Sequence, residues 1–468
     1  NIPHFVLKEK LFMRKRLDYG DKLILAPMVR IGTLPMRLLA LDYGADIVYT
    51  EELIDWKLLR SYRRVNDVLG TIDYIDKTDG TIIFRTCERE RDKVVLQIGT
   101  CDAARALKVA KMIEGDIAGI DLNMGCPKSF SLVGKMGAAL LKEPETATKI
   151  LKTLVDNLSI PVTCKIRVLS DLEETLKLCD LLASTGISAI AVHGRTVHER
   201  PQHQNREFVI KEIANRLSIP VIANGGSRDI QKYSDIFSFK KVTECSSVML
   251  ARAAEWNCSI FRKEGLLPME DVIKSYLKYA VDYDNSPSNT KYCIQNILRE
   301  RQESPLGRRF LNSQTLEQIC DVWDLSNYCL SRKKEFHEKG LLGRYQVTPN
   351  SDGKNDEHLS NKRKMSDEED VILMHCAFLR NNFSSDLDLP KTILHKWAQQ
   401  QKKKMPQYAT RNEDKLFRSI VTVDGRRFGS SFWEKNKKWA EQGAALVCLF
   451  CLDLIDEKTL AASGNAIS

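Results

Sequence analysis

Asp121-Leu122-Asn123-Met124-Gly125-Cys126-Pro127-Lys128 brings an amide, a glycine, a thiol and a proline together within eight residues. An apolar run over 117–122 leads into it, so Cys126 is expected just past the C-terminal end of a strand, where a side chain can meet a ligand. A cysteine in that setting can serve as nucleophile, proton donor or redox sensor, because its reactivity follows the charge and exposure around it. It can equally be a small apolar filler, and the chain has 13 cysteines. The neighbouring elements have to decide.

Other chemistry-bearing residues fall at the same kind of place, directly after short apolar runs. They are Pro27 and Met28, Glu51 and Glu52, Gln97, Lys165 with Arg167, His193 with Arg195, Asn224 with Gly225 and Gly226, and Ala251 with Arg252. Each has a plain alternative. Lys165 can be a surface lysine or the Schiff-base lysine of a barrel lyase or isomerase that needs no cofactor. His193, His198 and His203 recur at five-residue spacing, but the Arg195, Arg200 and Pro201 between them mark a loop without a carboxylate cluster, so no metal is expected. Cys448 and Cys451 form a lone C-x-x-C pair on an apolar helical segment and read as a packed face. Asn224-Gly225-Gly226 followed by Ala251-Arg252 is more pointed, because glycines let backbone amides approach a phosphate and arginine adds a fixed cation.

The elements that must position these residues alternate evenly. Strands are expected at 23–26, 47–49, 94–98, 117–122, 162–166, 189–192, 221–223 and 247–251, with helices at 103–113, 145–157, 172–184 and 206–217 between some of them. Eight parallel strands with intervening helices predict a (β/α)8 TIM barrel, an α/β fold whose site lies at the C-terminal strand ends. A doubly wound sheet would place a G-x-G-x-x-G turn after its first strand, and Ala26-Pro27-Met28-Val29-Arg30 is not one. Residues 70–91 interrupt the alternation and predict one extra strand at 81–85. Helical spacing over 263–342 predicts an appended helical domain, and polar composition marks a flexible linker over 343–388. Residues 389–455 read as helix, three strands (408–411, 416–422, 426–430) and a closing helix over 432–450, with Asp424-Gly425 as a tight turn and 456–468 as a tail.

Cysteine without a paired framework, and no apolar run long enough to span a bilayer, predict a reducing compartment and no membrane partner. The cytoplasm is the simplest location; nucleus and mitochondrion are further candidates, the latter for the basic stretch Lys8 to Arg16. Charge is unevenly placed. Residues 391–452 hold 9 Lys and 4 Arg against 5 acids, a net +8, while the whole chain carries +9. That concentration predicts a nucleic acid as partner.

With these pieces in register the chain resembles the dihydrouridine synthase family, and within it the eukaryotic subgroup that ends in a double-stranded RNA-binding domain. The residues that carry the resemblance are Ala26-Pro27-Met28, Leu96-Gln97-Ile98-Gly99, the stretch Leu122 to Lys128, Met136-Gly137-Ala138-Ala139-Leu140-Leu141, Cys164-Lys165-Ile166-Arg167, Val192-His193-Gly194-Arg195-Thr196, Ala223-Asn224-Gly225-Gly226 and Ala251-Arg252-Ala253. The resemblance implies an FMN-binding catalytic barrel over 1–262 that reduces the C5–C6 bond of a tRNA uridine, at position 20 of the D-loop, with NADPH as electron donor. By it, Pro27, Met28, Gln97, Lys165, His193, Asn224, Gly225, Gly226, Ala251 and Arg252 would hold FMN, Asn123, Arg167 and Arg195 would face the substrate, and Cys126 would be the general acid. Lys165 and His193 would stabilise the reduced flavin. A monomer is expected. The subgroup's Lys-Gly-Gly-Met-Gly is here Val133-Gly134-Lys135-Met136-Gly137, so this loop must accept a Cβ at Lys135. A barrel lyase working through Lys165, or an inactive RNA-binding scaffold, are the competing functions.

The tail resembles a double-stranded RNA-binding domain, and Lys391, Lys402, Lys403, Lys404, Lys435, Lys437 and Lys438 would meet RNA phosphates. Glu441 stands where that family often has another lysine, and its Gly-Pro-x-His loop is replaced by Arg411 to Lys415.

Overall fold

The computed structural model describes residues 17–77, 80–339, 370–374, 376, 378–380, 383, 385–413, 416–434, 436–457 and 460. Strands β1 (Leu23–Leu25) and β2 (Ile47–Ile54) are followed by β3 (Ser61–Asn66), β4 (Thr71–Asp76) and β5 (Ile82–Cys87), then by β6 (Val94–Gly99), β7 (Gly119–Met124), β8 (Val162–Arg167), β9 (Ala189–His193), β10 (Val221–Asn224) and β11 (Ser247–Leu250). Eight of them close a barrel in the order β1-β11-β10-β9-β8-β7-β6-β2, with every pairing parallel. The expected TIM barrel is the fold. Its strands are short and buried on both faces, so they read as plain apolar runs.

The interior below the mouth is closed by Tyr19, Tyr49, Val95, Ile222 and Met249, with Ala189 and Ala191 making room for the tyrosines. The outer helices begin where short polar side chains stop the chain: Asp102 accepts from the Arg105 amide at the start of Ala103–Ile113, and Asp171 from the Glu174 amide at the start of Leu172–Ala183.

One expectation fails at residues 70–91. Two strands form there instead of one, and with β3 they make a separate three-stranded sheet, β3-β4-β5. Asp73 explains why Thr71–Asp76 did not read as a strand: a charged residue in mid-strand is buried because Arg64 and Arg85 both bond its carboxylate. Beside it lies a buried ion pair. Arg37 Nε and Nη2 donate to Glu90 at 2.8 and 2.6 Å, Nη1 donates to the Gly32 carbonyl at 2.6 Å, and the Thr86 hydroxyl donates to Glu90 at 2.8 Å. Removing one partner strands a charge in the core, so Arg37→Met should cost about 3–5 kcal/mol. Urea unfolding checks this, and the double replacement Arg37→Met with Glu90→Leu should recover most of the loss.

The chain divides into two compact units. The first holds the barrel with helix Met269–Asp282 and residues 289–307; the second takes 75–82, 286–288 and 308–468. The helical stretch expected over 263–342 therefore contributes to both units, with Leu316–Asp321 and Ser326–Glu338 in the second. No helix among the described residues is long and apolar enough to cross a membrane.

In the second unit β12 (Val371–Met374), β13 (Gln407–Glu413), β14 (Leu416–Val423) and β15 (Arg426–Ser430) form one sheet in the order β12-β15-β14-β13. Helices Pro390–Gln400 and Lys437–Cys451 pack with it around Leu394, Val421, Phe428, Ala444 and Cys448. The three expected strands are present, and Asp424 and Gly425 take positive φ angles of 49° and 78°, the geometry of the expected tight turn. Two expectations need correction. Residues 371–374, assigned to the linker, are a strand parallel to β15, and Cys376, Phe378 and Phe383 from the same stretch are in the core. The closing helix starts at Lys437 rather than 432, because Glu434 bonds the Phe417 backbone as a bridge and Asn436 caps the helix through the Trp439 amide at 2.9 Å. The linker residues 343–369, the basic N-terminal stretch and most of the tail lie outside the described residues.

Candidate active site and RNA-binding face

Register lines up the barrel-mouth residues in rows. Glu52 pairs with Gln97, Gln97 with Asp121 and Asp121 with Thr163; two residues nearer the mouth Asn123 pairs with Lys165; beyond that Arg167 pairs with His193 and His193 with Asn224. Because all strands run the same way, these rows and the segments that follow β1, β10 and β11 face one mouth, which brings Pro27, Met28, Gly225, Gly226, Ala251 and Arg252 to the same end.

A hydrogen-bonded chain runs through the first two rows. Gln97 Nε2 donates to Asp121 at 2.8 Å, Asn123 Nδ2 donates to Gln97 Oε1 at 3.3 Å, and Asn123 Oδ1 accepts from the amides of Gly125 and Cys126 at 2.9 and 3.1 Å. Burial pushes the Asp121 carboxyl up to about 6 and the Lys165 ammonium down to about 8.

The loop after β7 is held from several sides. Arg167 Nε donates to the Gly125 carbonyl at 2.9 Å and Nη1 to the Thr196 carbonyl at 3.1 Å. The Ala138 amide donates to the Cys126 carbonyl at 3.0 Å, and a Cβ at Gly137 would stand 2.8 Å from that oxygen, so this close approach requires glycine. Lys135 takes a φ of 54°, accepting the left-handed conformation that glycine would hold without strain.

Cys126 is partly buried. Burial pushes its thiol up and the Glu52 carboxylate reinforces this, against the Ser131 hydroxyl. Glu52 is itself raised by burial, and neither of its oxygens reaches hydrogen-bond geometry with a partner among the described residues, although Cys126, Ser131 and Asn123 surround it. The sequence placed Glu52 at a strand end and gave it no role. The irregularity in β2 between Tyr49 and Glu52 is the reason, since strict alternation no longer says which of Glu51 and Glu52 points inward.

The far side of the mouth is cationic. Arg167, Arg195 and Arg252 are each lowered first by burial; other arginines, Arg200 and Arg228 among them, add to this, and Glu255 opposes it at Arg252. Arg195 Nη1 bonds the Gly225 carbonyl at 2.9 Å and lies 3.2 Å from His193 Nε2, while its Nε bonds the His203 carbonyl at 2.8 Å. His193 is lowered well below its ordinary value, first by burial and then by Lys165 and the neighbouring arginines, which favours its neutral ring. Gly225 has a φ of 113°, and a Cβ there would stand 2.2 Å from Asn205 Oδ1. Both amide atoms of Asn205 are buried without a hydrogen-bond partner among the described residues. Surplus positive charge, a bare backbone turn and orphaned amide atoms fit the phosphate end of a cofactor such as FMN.

The basic residues of the second unit do not form one patch. Lys391, Lys437 and Lys438 lie near the N-terminal ends of the two helices, where Lys391, His395, Lys396, Lys438, Glu441 and Gln442 line an open groove of about 470 Å³. Lys402, Lys403 and Lys404 sit past the other end of the 11-residue helix Pro390–Gln400, roughly 16 Å away. Lys435 lies outside the described residues. Buried Glu441 pairs with Lys391 and approaches Lys437 at 3.8 Å, Lys391 also lies 4.5 Å from the Tyr408 ring, and Lys403 pairs with Asp424. The acid that replaced an expected lysine thus orients two of the remaining ones.

The dihydrouridine synthase (Dus) family profile matches residues 24–283, and the double-stranded RNA binding motif matches 390–449. Two curated proteins called tRNA-dihydrouridine(20) synthase [NAD(P)+] are each 37% identical. The one from Schizosaccharomyces pombe aligns over 68% of this chain and 70% of its own length, and the one from Saccharomyces cerevisiae over 60% and 78%. A crystal structure of a mutant human tRNA-dihydrouridine(20) synthase dsRBD is 36% identical over 20% of this chain and 93% of its own, with a TM-score of 0.18.

Proposed function

The chain belongs to the dihydrouridine synthase family, and on that premise we propose that it reduces the C5–C6 bond of a uridine in the tRNA D-loop, at position 20, with FMN bound at the barrel mouth and NADPH as electron donor. A lyase working through Lys165 and a catalytically silent scaffold both give way to this reading. The partner is tRNA, and the enzyme works as a monomer in the cytoplasm.

FMN, when bound and reduced, supplies the hydride for C6 of the uracil. Cys126 then gives a proton to C5. The observation that carries this assignment is the environment of the thiol: burial and Glu52 favour the protonated form, which suits a proton donor and disfavours a thiolate nucleophile or redox sensor. Asn123 places the uracil, and Arg167 and Arg195 face the substrate side while fixing the loops around it. Lys165 contributes a partly desolvated cation beside the reacting ring, and Gln97 and neutral His193 contribute hydrogen-bonding groups. Pro27, Met28, Asn224, Gly225, Gly226 and Ala251 form the walls that hold the cofactor, and Arg252 grips its phosphate.

Arg252→Ala tests the phosphate site apart from turnover. The variant should fold but purify with little flavin, with FMN affinity down about tenfold to a hundredfold for one lost charge-assisted contact. Absorbance at the flavin bands measures it, and full occupancy would move the phosphate elsewhere. The function itself is tested by incubating the purified chain with NADPH and unmodified tRNA and mapping dihydrouridine along the product.

A further inference from the structure

Asp121 is completely buried in the barrel and has no part in the reaction described above. We propose that Asp121 is a positioning residue: it fixes the orientation of the Gln97 and Asn123 amides and so holds the Cys126 loop where its thiol can serve the substrate. The proposal rests on Cys126 being the proton donor.

The argument is one of donors and acceptors. An ionised carboxylate only accepts hydrogen bonds, so Gln97 must turn its NH2 end toward Asp121, as it does at 2.8 Å. That leaves Gln97 Oε1 facing Asn123. Asn123 must then offer its own NH2, at 3.3 Å, which turns Oδ1 outward to accept from the amides of Gly125 and Cys126 at 2.9 and 3.1 Å. A side-chain amide has two orientations of nearly the same shape, and nothing in the shape alone selects one. Reversing either amide here would set donor against donor or oxygen against oxygen. The selection starts at Asp121, whose other oxygen is anchored by the Thr163 hydroxyl at 2.7 Å, with the Tyr49 hydroxyl 3.4 Å from Thr163. Register supplies the geometry, because Gln97 and Asp121 are direct cross-strand partners on β6 and β7 and Asp121 and Thr163 on β7 and β8. At neutral pH the acceptor-only form prevails, since burial raises Asp121 only to about 6. Three links thus connect a buried charge to the backbone of the reactive cysteine. Links of this kind in a water-poor interior are strong when complete and fail together when one is removed.

The test uses the full-length, flavin-loaded protein with Asp121→Asn and Asp121→Leu. Three quantities are read: flavin reduction by NADPH, single-turnover reoxidation of the reduced enzyme by tRNA, and the rate of iodoacetamide alkylation at Cys126 followed by peptide mass spectrometry across pH. Asp121→Asn admits both amide orientations. It should leave flavin reduction within about threefold, slow tRNA-dependent reoxidation about tenfold through its limiting rate rather than its half-saturating tRNA concentration, and speed alkylation of the loosened thiol by a comparable factor. Asp121→Leu, which removes the acceptor, should go further, to about a hundredfold. If the leucine variant does not fold, the asparagine variant still decides. Wild-type reoxidation and alkylation in Asp121→Asn would overturn the proposal, as would a loss confined to flavin content. Cys126→Ala run alongside separates the two ideas: full turnover there would remove the proton-donor assignment, while the alkylation profile would still report whether Asp121 orders the loop.

Discussion

Cys126→Ala should bind FMN and accept electrons from NADPH like the parent protein, yet form dihydrouridine ~10²- to 10⁴-fold more slowly, the usual loss when a positioned general acid is removed. The thiol belongs to the loop after β7, whereas Gly225, Gly226 and Arg252, proposed for the cofactor phosphate, follow β10 and β11, so the substitution leaves the proposed phosphate site untouched. A pH profile sharpens this. A thiol raised above its ordinary value stays protonated through neutrality and is lost only as pH climbs past its folded value. Turnover by the parent should therefore fall on the alkaline side in two steps, first as Lys165 loses its charge near 8 and then as the thiol ionises, and residual turnover by Cys126→Ala should keep the first limb and lack the second. Rapid-mixing assays that follow flavin absorbance separate the two half-reactions, and unimpaired tRNA reduction by the variant would reassign the proton to another group.

Deletion of residues 370–468 should leave flavin content and NADPH oxidation intact while weakening tRNA binding and flattening its dependence on salt. The cut belongs before 370 because Val371–Met374 pairs with β15 and Phe378 and Phe383 are packed in that domain's core. Lys391, Lys402, Lys403, Lys404, Lys437 and Lys438 are removed together. If each meets one phosphate, the slope of log affinity against log salt drops by about 5, and the change in affinity between 50 and 200 mM salt shrinks by roughly a thousandfold. Binding curves at those two salt concentrations measure it. Replacing Lys437 and Lys438 alone should give part of the effect. Equal binding by the full and shortened chains would shift RNA recognition to the remaining residues.

Much of this was legible in the residues. Apolar runs separated by capped helices gave all eight barrel strands to within a few residues, because buried parallel strands and amphipathic helices write different periods into the chain. The mouth residues followed from the strand ends, since the fold puts every C-terminal end on one face. What stayed hidden depends on contacts between distant positions. Asp73 looks wrong for a strand until Arg64 and Arg85 are beside it. Glu51 and Glu52 both stand at a strand end, and only the irregularity in β2 shows that Glu52 is the one beside Cys126. Lys391 and Glu441 are 50 residues apart, and only the packing of two helices shows that the acid steers the base. Val371–Met374 was lost in the polar composition that precedes it, four residues being too few to show a period.

That short strand has a further consequence. β12 lies along the outer side of β15, and among the described residues it is the one parallel strand in an otherwise antiparallel sheet. Without it, β15 would present a row of unpaired peptide groups to solvent, and such a row pairs readily with another chain. Val371–Met374 therefore do more than lead into the tail. They act as a built-in guard against self-association, and a tail shortened to its apparent helix-strand-helix boundaries would trade a well-behaved domain for one inclined to exchange strands with its own copies.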